Sequence, residues 1–473
     1  MTYPAYPEYK DSGIPWIGKV PVGWNTLSIR RIVKNHLQGY YDSDGYVSEG
    51  VKLLRITDLV GNGKISTQDC PSVKETSDIE KYLLQQGDFC FARTGEAGTF
   101  GFIEKSPDSK TVFASYLIRF RFKNIDNRYL LYFFLSNNFF HGVSCRIHGG
   151  VNQNIHAKNI KDTNICIPPL SEQRAIAAFL DRETKKIDDL ITEQQKLLEL
   201  ITEKRQALIS HVVTKGLNPD APMKDSGIDW LGQIPTHWEV KQIKYVAWVR
   251  ARLGWKGLKA EEYVDEGYAF LATPNIKNKN IDLENVNFIT QERYDESPEI
   301  KLANGDVLLA KDGSTLGTVN YVRDLPFPTT VNSSIAVITP KHDLNTVFLY
   351  YLFQSTYLKT VIEVKKGGMG VPHLFQDDIN RFPIPLPSID EQEKIIAFIE
   401  VNTRSLDILQ SQAEHAIELL KERRSALISA AVTGKFFVGK VAEKNKKLMS
   451  SLNDQFLLQK SLTGCTENLH SDT

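Results

Sequence analysis

The sequence predicts a mixed α/β protein: two α/β domains related by a pseudo-twofold and separated by a coiled coil of two long helices. Three observations predict it. The chain is written twice, since DSGIPWIG at residues 11–18 returns as DSGIDWLG at 225–232. Each copy closes on a long run of helix formers whose apolar residues fall at alternating three- and four-residue spacings, the mark of a coiled-coil seam. Between these frames lie short β-rich runs and one apolar helix, the pattern of a compact α/β domain.

The duplication sets the order of elements. A framework segment occupies residues 1–19 and a first α/β domain 20–165, with β-rich LLRITDL, DFCFAR and YLIRFRF and the apolar helix YLLYFFL. A first long helix (166–214) follows IPP, because proline ends a strand and is not tolerated inside a helix. The linker 215–234 repeats the N-terminal segment, and a second α/β domain spans 235–383, with AFLATPNI, DVLLAK, SSIAVITP and the apolar VFLYYLF. A second long helix takes 384–435, and the Lys-, Ser- and Asn-rich tail 436–473 is expected to be loosely ordered or to form a short helix. SEQRAIAAFL and DEQEKIIAFI open the two helices, and EKRQALIS and ERRSALIS close them. Similarity is strong in these frames and weak over about 25–80 and 240–300, so the two halves are expected to meet the same partner while reading different things.

In the first helix the seam is Leu180, Ile187, Ile191, Leu198, Ile201, Leu208 and Val212. In the second it is Ile399, Leu406, Ile417, Leu420, Leu427 and Ala431. Gln194 and Gln410 sit on the seam, where a polar residue specifies pairing at some cost in stability. Neither helix can bury its stripe alone, so each is expected to pack on the other as a rod of roughly 60 Å.

Composition narrows the function. At 473 residues the chain has room for several domains, and 57 basic residues balance 57 acidic ones, which excludes a uniformly basic nucleic-acid binder but not a local basic face. Five scattered cysteines without a CxxC pair suit a reducing compartment, and the first residues carry no apolar signal segment. No apolar run approaches the roughly 20 residues of a membrane span. A cytoplasmic protein with no membrane partner is expected.

Enzymatic signatures are missing. GSTLGTV at 313–319 lacks the lysine of a phosphate loop, and RTGEAGTFG at 93–101 does not match GxGxxG. There is no HExxH or clustered Cys/His set. IPPL at 167–170 lacks the leading amide or carboxylate of an amino-methyltransferase motif, and the ExK spelling at Glu183–Lys185 lies in a helix. No catalytic, cofactor-binding or metal-ligating residue is therefore assigned.

Binding candidates remain. Arg93 and Thr94, and in the second copy Lys311 and Ser314, open Gly/Ser/Thr-rich loops just after a strand, where a cation and backbone N–H groups approach phosphates. CRIHGGVNQNIHAKN supplies Arg146, His148, Asn152, Gln153 and Asn154; its counterpart VKKGGMGVPHLFQDD supplies Lys365, Lys366 and His373. Arg, Asn and Gln pair bidentately with base edges in the major groove. The divergent stretches add Tyr40 and Tyr41, and Arg250, Arg252, Trp255 and Lys256, a mixture of charge and aromatic surface suited to nucleic acid. Each of these has a plain alternative, a turn, a polar loop or a domain edge.

The twin KDSGI-x-W-(I/L)-G phrases, twin EQ-x-x-I helix starts, twin ALIS helix ends and two divergent segments together resemble the specificity subunit of type I restriction-modification systems. The resemblance covers nearly everything up to about residue 435. It implies two pseudo-twofold-related target recognition domains, each reading half of a bipartite asymmetric site in double-stranded DNA, separated by an antiparallel coiled coil of the two long helices. It also implies two modification (M) subunits that bring S-adenosylmethionine and methylate adenine, and two restriction (R) subunits that use ATP and Mg to cleave. Catalysis would lie in those partners. A self-contained methyltransferase or nuclease, and a coiled-coil adaptor without a DNA role, are the alternatives.

Overall fold

A computed structural model describes residues 3–41, 45–94, 98–145, 154–252, 258, 260–277, 279–367 and 372–439. The chain divides into two compact units, residues 1–193 with 416–473, and residues 194–415. The boundary cuts both long helices, Leu170–Lys215 and Ile389–Val432, so each unit holds one α/β domain and a segment of each helix.

In the first unit a four-stranded sheet runs in the order 100–102, 89–92, 117–122, 33–38, all pairs antiparallel. A second sheet pairs strand 111–113 in parallel with 51–54, which pairs antiparallel with 72–73. Helices Asn127–Phe134 and Asn137–Ser144 cover the main sheet, their N-termini capped by Asp126 and Ser136 side chains. Only the first of these two helices is legible from the apolar run. The core is aromatic: Phe89, Phe91, Phe120, Phe133 and Phe139 are fully buried together.

The second unit repeats the plan. Its main sheet runs 247–250, 335–340, 307–310, 319–321, again antiparallel. Strand 268–271 pairs in parallel with 329–331 and antiparallel with 287–289. Asn345 and Ser355 cap helices Thr346–Gln354 and Thr356–Lys365. Here the core is mainly aliphatic, with Val307, Leu309, Ile338, Phe348 and Leu352 buried.

Within each unit the helix segments run antiparallel. In the first, Ile176 and Leu180 share a core with Ile428, Ala431 and Val432, and further along Arg424 pairs with Asp188 at 2.8 Å. In the second, Ile209 and Val213 share a core with Ile395 and Ile399, and Arg205 pairs with Asp407. Of the predicted seam, Leu180, Ile187, Ile201, Val212, Ile399, Leu406, Ile417 and Ala431 are buried. Ile191, Leu198, Leu208, Leu420 and Leu427 are only half-buried. Gln410 is turned along its own helix, donating to Glu414 at 3.0 Å. The stripe is wider than two in seven because each segment also packs on its α/β domain.

The repeated words are joints. Gln173, buried at a helix start, donates to Pro168 O and accepts the Asp126 backbone N–H, both at 2.8 Å. Gln392 does the same with Pro387 O (2.9 Å) and the Asn345 N–H (2.8 Å). At the helix ends the ALIS serines accept backbone N–H groups of the domain helices: Ser429 from Asn137 (3.1 Å) and Ser210 from Thr356 (2.9 Å).

The opening phrases are turns. Asp11 and Asp225 accept the N–H of Gly13 and Gly227, which stand at φ +70° and +72°, a left-handed conformation that favours glycine. Each turn abuts a helix end. Lys435 donates to the carbonyls of Ile17 and Lys19 (both 3.0 Å), and Lys215 to those of Leu231 (3.0 Å) and Gln233. Phe436 and Val438 join the first core, so the tail's first residues are packed rather than loose; residues 440–473 lie outside the described residues.

Candidate nucleic-acid interface

The strand 89–92 ends in a loop that meets the segment preceding helix Ala157–Lys161. Arg93 N–H donates to Tyr116 O (2.8 Å), Ile155 N–H to Arg93 O (2.7 Å), and Thr94 bridges Asn154 antiparallel. The second unit builds the same edge. Lys311 N–H donates to Ser334 O (2.8 Å), Leu374 N–H to Lys311 O (2.9 Å), and Asp312 bridges His373. Two loops that the sequence singles out separately are thus one edge in each unit.

Arg93 and Thr94 are half-buried on that edge and Asn154 is exposed. Tyr41 is 77% exposed, but Tyr40 packs edge-on against Tyr82 in the small-sheet core. In the second unit Ser314 is exposed, and Lys365 and Lys366 stand exposed at the end of helix Thr356–Lys365. Gly367 and His373 exchange two backbone hydrogen bonds at 3.0 Å, which brings those lysines to the same edge. Arg146, His148, Asn152, Gln153, Trp255 and Lys256 lie outside the described residues.

Two predicted contacts are committed to the fold instead. Arg250 gives Nη2 to Asp306 (2.7 Å) and Thr339 (2.8 Å) and Nη1 to the carbonyls of Glu299 (3.1 Å) and Lys301 (3.0 Å). Asp306 is buried, so this arginine is its counter-charge. The Arg252 side chain is 6% exposed, with Glu296 at 3.7 Å. The first unit solves the same problem with residues the sequence reading passed over. Asp88 is held by Arg121 at 2.6 and 3.0 Å, and this carboxylate raises the guanidinium's pKa. Burial lowers that of neighbouring Arg119, whose Nη1 donates to Lys81 O (3.1 Å) and Leu83 O (3.3 Å).

Sequence reasoning also missed Tyr116, Asp312 and Phe375. Tyr116 is 61% exposed beside Arg93. Phe375 is exposed at the N-cap of helix Gln376–Asn380, edge-on to His373 at 4.6 Å. A cheap signal existed for both: a large aromatic residue at a strand or helix entrance, next to a loop already selected. Among the described residues no group of three or more His, Cys, Asp or Glu is placed to hold a metal. Nor, among them, is any helix long and apolar enough to cross a membrane.

Two frames, each presenting a paired-loop edge, define a duplicated recognition scaffold. The chain belongs to the type I restriction modification DNA specificity domain family, whose model matches residues 49–200 and 235–419. It is similar to the type I restriction enzyme MjaVIII specificity subunit of Methanocaldococcus jannaschii, 22% identical over 89% of this chain and 94% of that one. It is also similar to the type I restriction enzyme EcoBI specificity subunit of Escherichia coli, 22% identical over 64% of each chain. Among solved structures, a chain described in work on complex assembly and conformational transition of the type I R-M system shares the fold. Its TM-score is 0.63 at 16% identity, covering 88% of this chain and 99% of that one.

Proposed function

We propose that this chain is the DNA-reading subunit of a type I restriction-modification assembly, non-catalytic itself. Each α/β domain reads one half of a bipartite site in duplex DNA, and partner subunits carry out adenine methylation or cleavage. The observation that carries this reading is the paired-loop edge, held by matching backbone hydrogen bonds in both units yet furnished with different side chains. Identical frames suit identical partners; different side chains suit an asymmetric target.

On the first edge Arg93, Thr94, Asn154 and Tyr116 are the contacts favoured by position, with the exposed Tyr41 a further candidate; on the second, Lys311, Ser314, Lys365, Lys366 and His373. Arg250, Arg252 and Tyr40 act by holding the domains in shape. The partners are two modification subunits, which supply S-adenosylmethionine, and two restriction subunits, which supply ATP-driven cleavage with Mg. The site of action is the cytoplasm.

A map of N6-methyladenine in the host genome, with the gene present and deleted, tests the reading. The expected result is a bipartite motif whose methylation disappears on deletion. Methylation that persists unchanged, or a purified chain that methylates or cuts DNA alone, refutes it.

A further inference from the structure

The two edges carry different chemistry on one backbone frame. Where the first unit has Thr94 opposite Asn154, the second has Asp312 opposite His373. Two backbone bonds around them are matched: Arg93 N–H to Tyr116 O and Ile155 N–H to Arg93 O in one, Lys311 N–H to Ser334 O and Leu374 N–H to Lys311 O in the other. The side chains on the bridge differ. In the second unit they interact, for His373 Nδ1 is hydrogen-bonded to Asp312 Oδ1, while Lys311 Nζ stands 3.3 Å from Oδ2.

Such a contact fixes the ring. With Nδ1–H given to a carboxylate, the imidazole cannot rotate freely, and its remaining nitrogen, Nε2, has a defined direction and, in the neutral ring, an acceptor lone pair. The His373 side chain is neither buried nor fully open, at 32% exposure, and Phe375 steadies its other side. Lys311 offsets the charge of Asp312, so the carboxylate does not repel a polyanion.

We propose that the residue pair on this bridge is a specificity-determining pair, with Asp312 a positioning residue that orients His373 Nε2 toward a base edge. Asn154 is its counterpart in the first unit. The inference rests on the DNA-reading function above and names where one base pair of the second half-site is read. Nε2 accepts from the exocyclic amino group of adenine or cytosine, groups the major groove displays. Thr94 with Asn154 presents instead an amide that both donates and accepts, suited to adenine.

The test uses the full chain co-produced with its modification subunit in a host lacking adenine methylation. The methylated motif and the thermal melting of the purified complex are read together for wild type, D312N, H373A, D312E and the double variant D312T/H373N. The expected result for D312N and H373A is a relaxation of roughly 10-fold at one base pair of one half-site. The other half-site and the melting temperature stay as in wild type, D312E retains part of the selectivity, and the double variant changes the preferred base at that same position. Unchanged preference at every position overturns the proposal while leaving the function intact. So does a uniform loss across the motif with lowered melting, the mark of a structural latch. A wild-type chain that confers no motif refutes the proposed function and this pair with it.

Discussion

Arg119 and Arg250 do the same work from different strands. Arg119 lies on strand 117–122 and Arg250 on strand 247–250, which occupy different places in their sheets. Yet each sends Nη1 to two carbonyls of the loop that leads into a buried Gly-Asp turn, Lys81 and Leu83 in one unit, Glu299 and Lys301 in the other. The charge has moved to the neighbouring strand, and Arg250 alone covers what Arg119 and Arg121 share.

From this follows the first prediction. Arg250→Ala leaves the Asp306 carboxylate buried without its partner, which costs about 3 kcal/mol. Denaturant unfolding of the full chain is expected to show that loss, with any fall in DNA binding following from it. Unchanged unfolding together with an altered base preference would return Arg250 to the interface.

The glutamine joints give the second. Gln392→Ala removes the acceptor of the Asn345 N–H and the donor to Pro387 and Asp343 O, at a cost of about 1–3 kcal/mol. Hydrogen exchange is expected to quicken at the Asn345 amide and along the first turn of helix Ile389–Val432. Exchange that quickens evenly over the whole unit would argue for global destabilisation rather than a local joint.

The third concerns acid. Burial acts to raise the pKa of Asp407, but hydrogen bonds from Lys279 (2.9 Å) and Arg205 outweigh it and hold the carboxyl below its ordinary value of 3.8. A carboxylate depressed in the folded state adds stability that is fully present above its unfolded pKa and is lost as pH falls through the folded one. Asp407→Asn is therefore expected to lower stability by about 1 kcal/mol at neutral pH. The difference should shrink below about pH 4. A difference that is the same at pH 3 and pH 7 contradicts the ion-pair account.

The fourth uses the continuous helices. Four residues inserted into one or both add about 6 Å of helix, and the unspecified gap of the methylated motif is expected to lengthen by about one or two base pairs. A tolerated insertion that leaves the gap unaltered contradicts the idea of the helices as a ruler.

The duplication, both long helices and the strands 51–54, 89–92, 117–122, 268–271, 307–310 and 335–340 were legible because repeats and apolar runs are written locally; the other strands of the main sheets, 33–38, 100–102, 247–250 and 319–321, were not. The DSGI phrase was legible as part of the frame, at the ends of the helices, but the side chains that tie it there, Lys435 from far along the chain and Lys215 from the helix end just before the second copy, were not. The same holds for the EQ and ALIS words. Arg250 looked like a DNA contact because a cation between aromatic residues reads alike whether it faces solvent or a buried carboxylate; only Asp306, brought close by strand pairing, tells the two apart. Seam residues Leu198 and Leu208 are half-buried, Leu208 against the core of the second unit, and a two-in-seven rule does not foresee the domain that also leans on each helix.

One feature of the mounting bears on inheritance. Gln173, Gln392, Ser429 and Ser210 all grip their domains by main-chain N–H groups, those of Asp126, Asn345, Asn137 and Thr356. A main-chain amide survives nearly every substitution. Lineages can therefore rewrite a domain's outward side chains without renegotiating these four grips. Novelty in what is read comes without loss of the part that holds the reader in place.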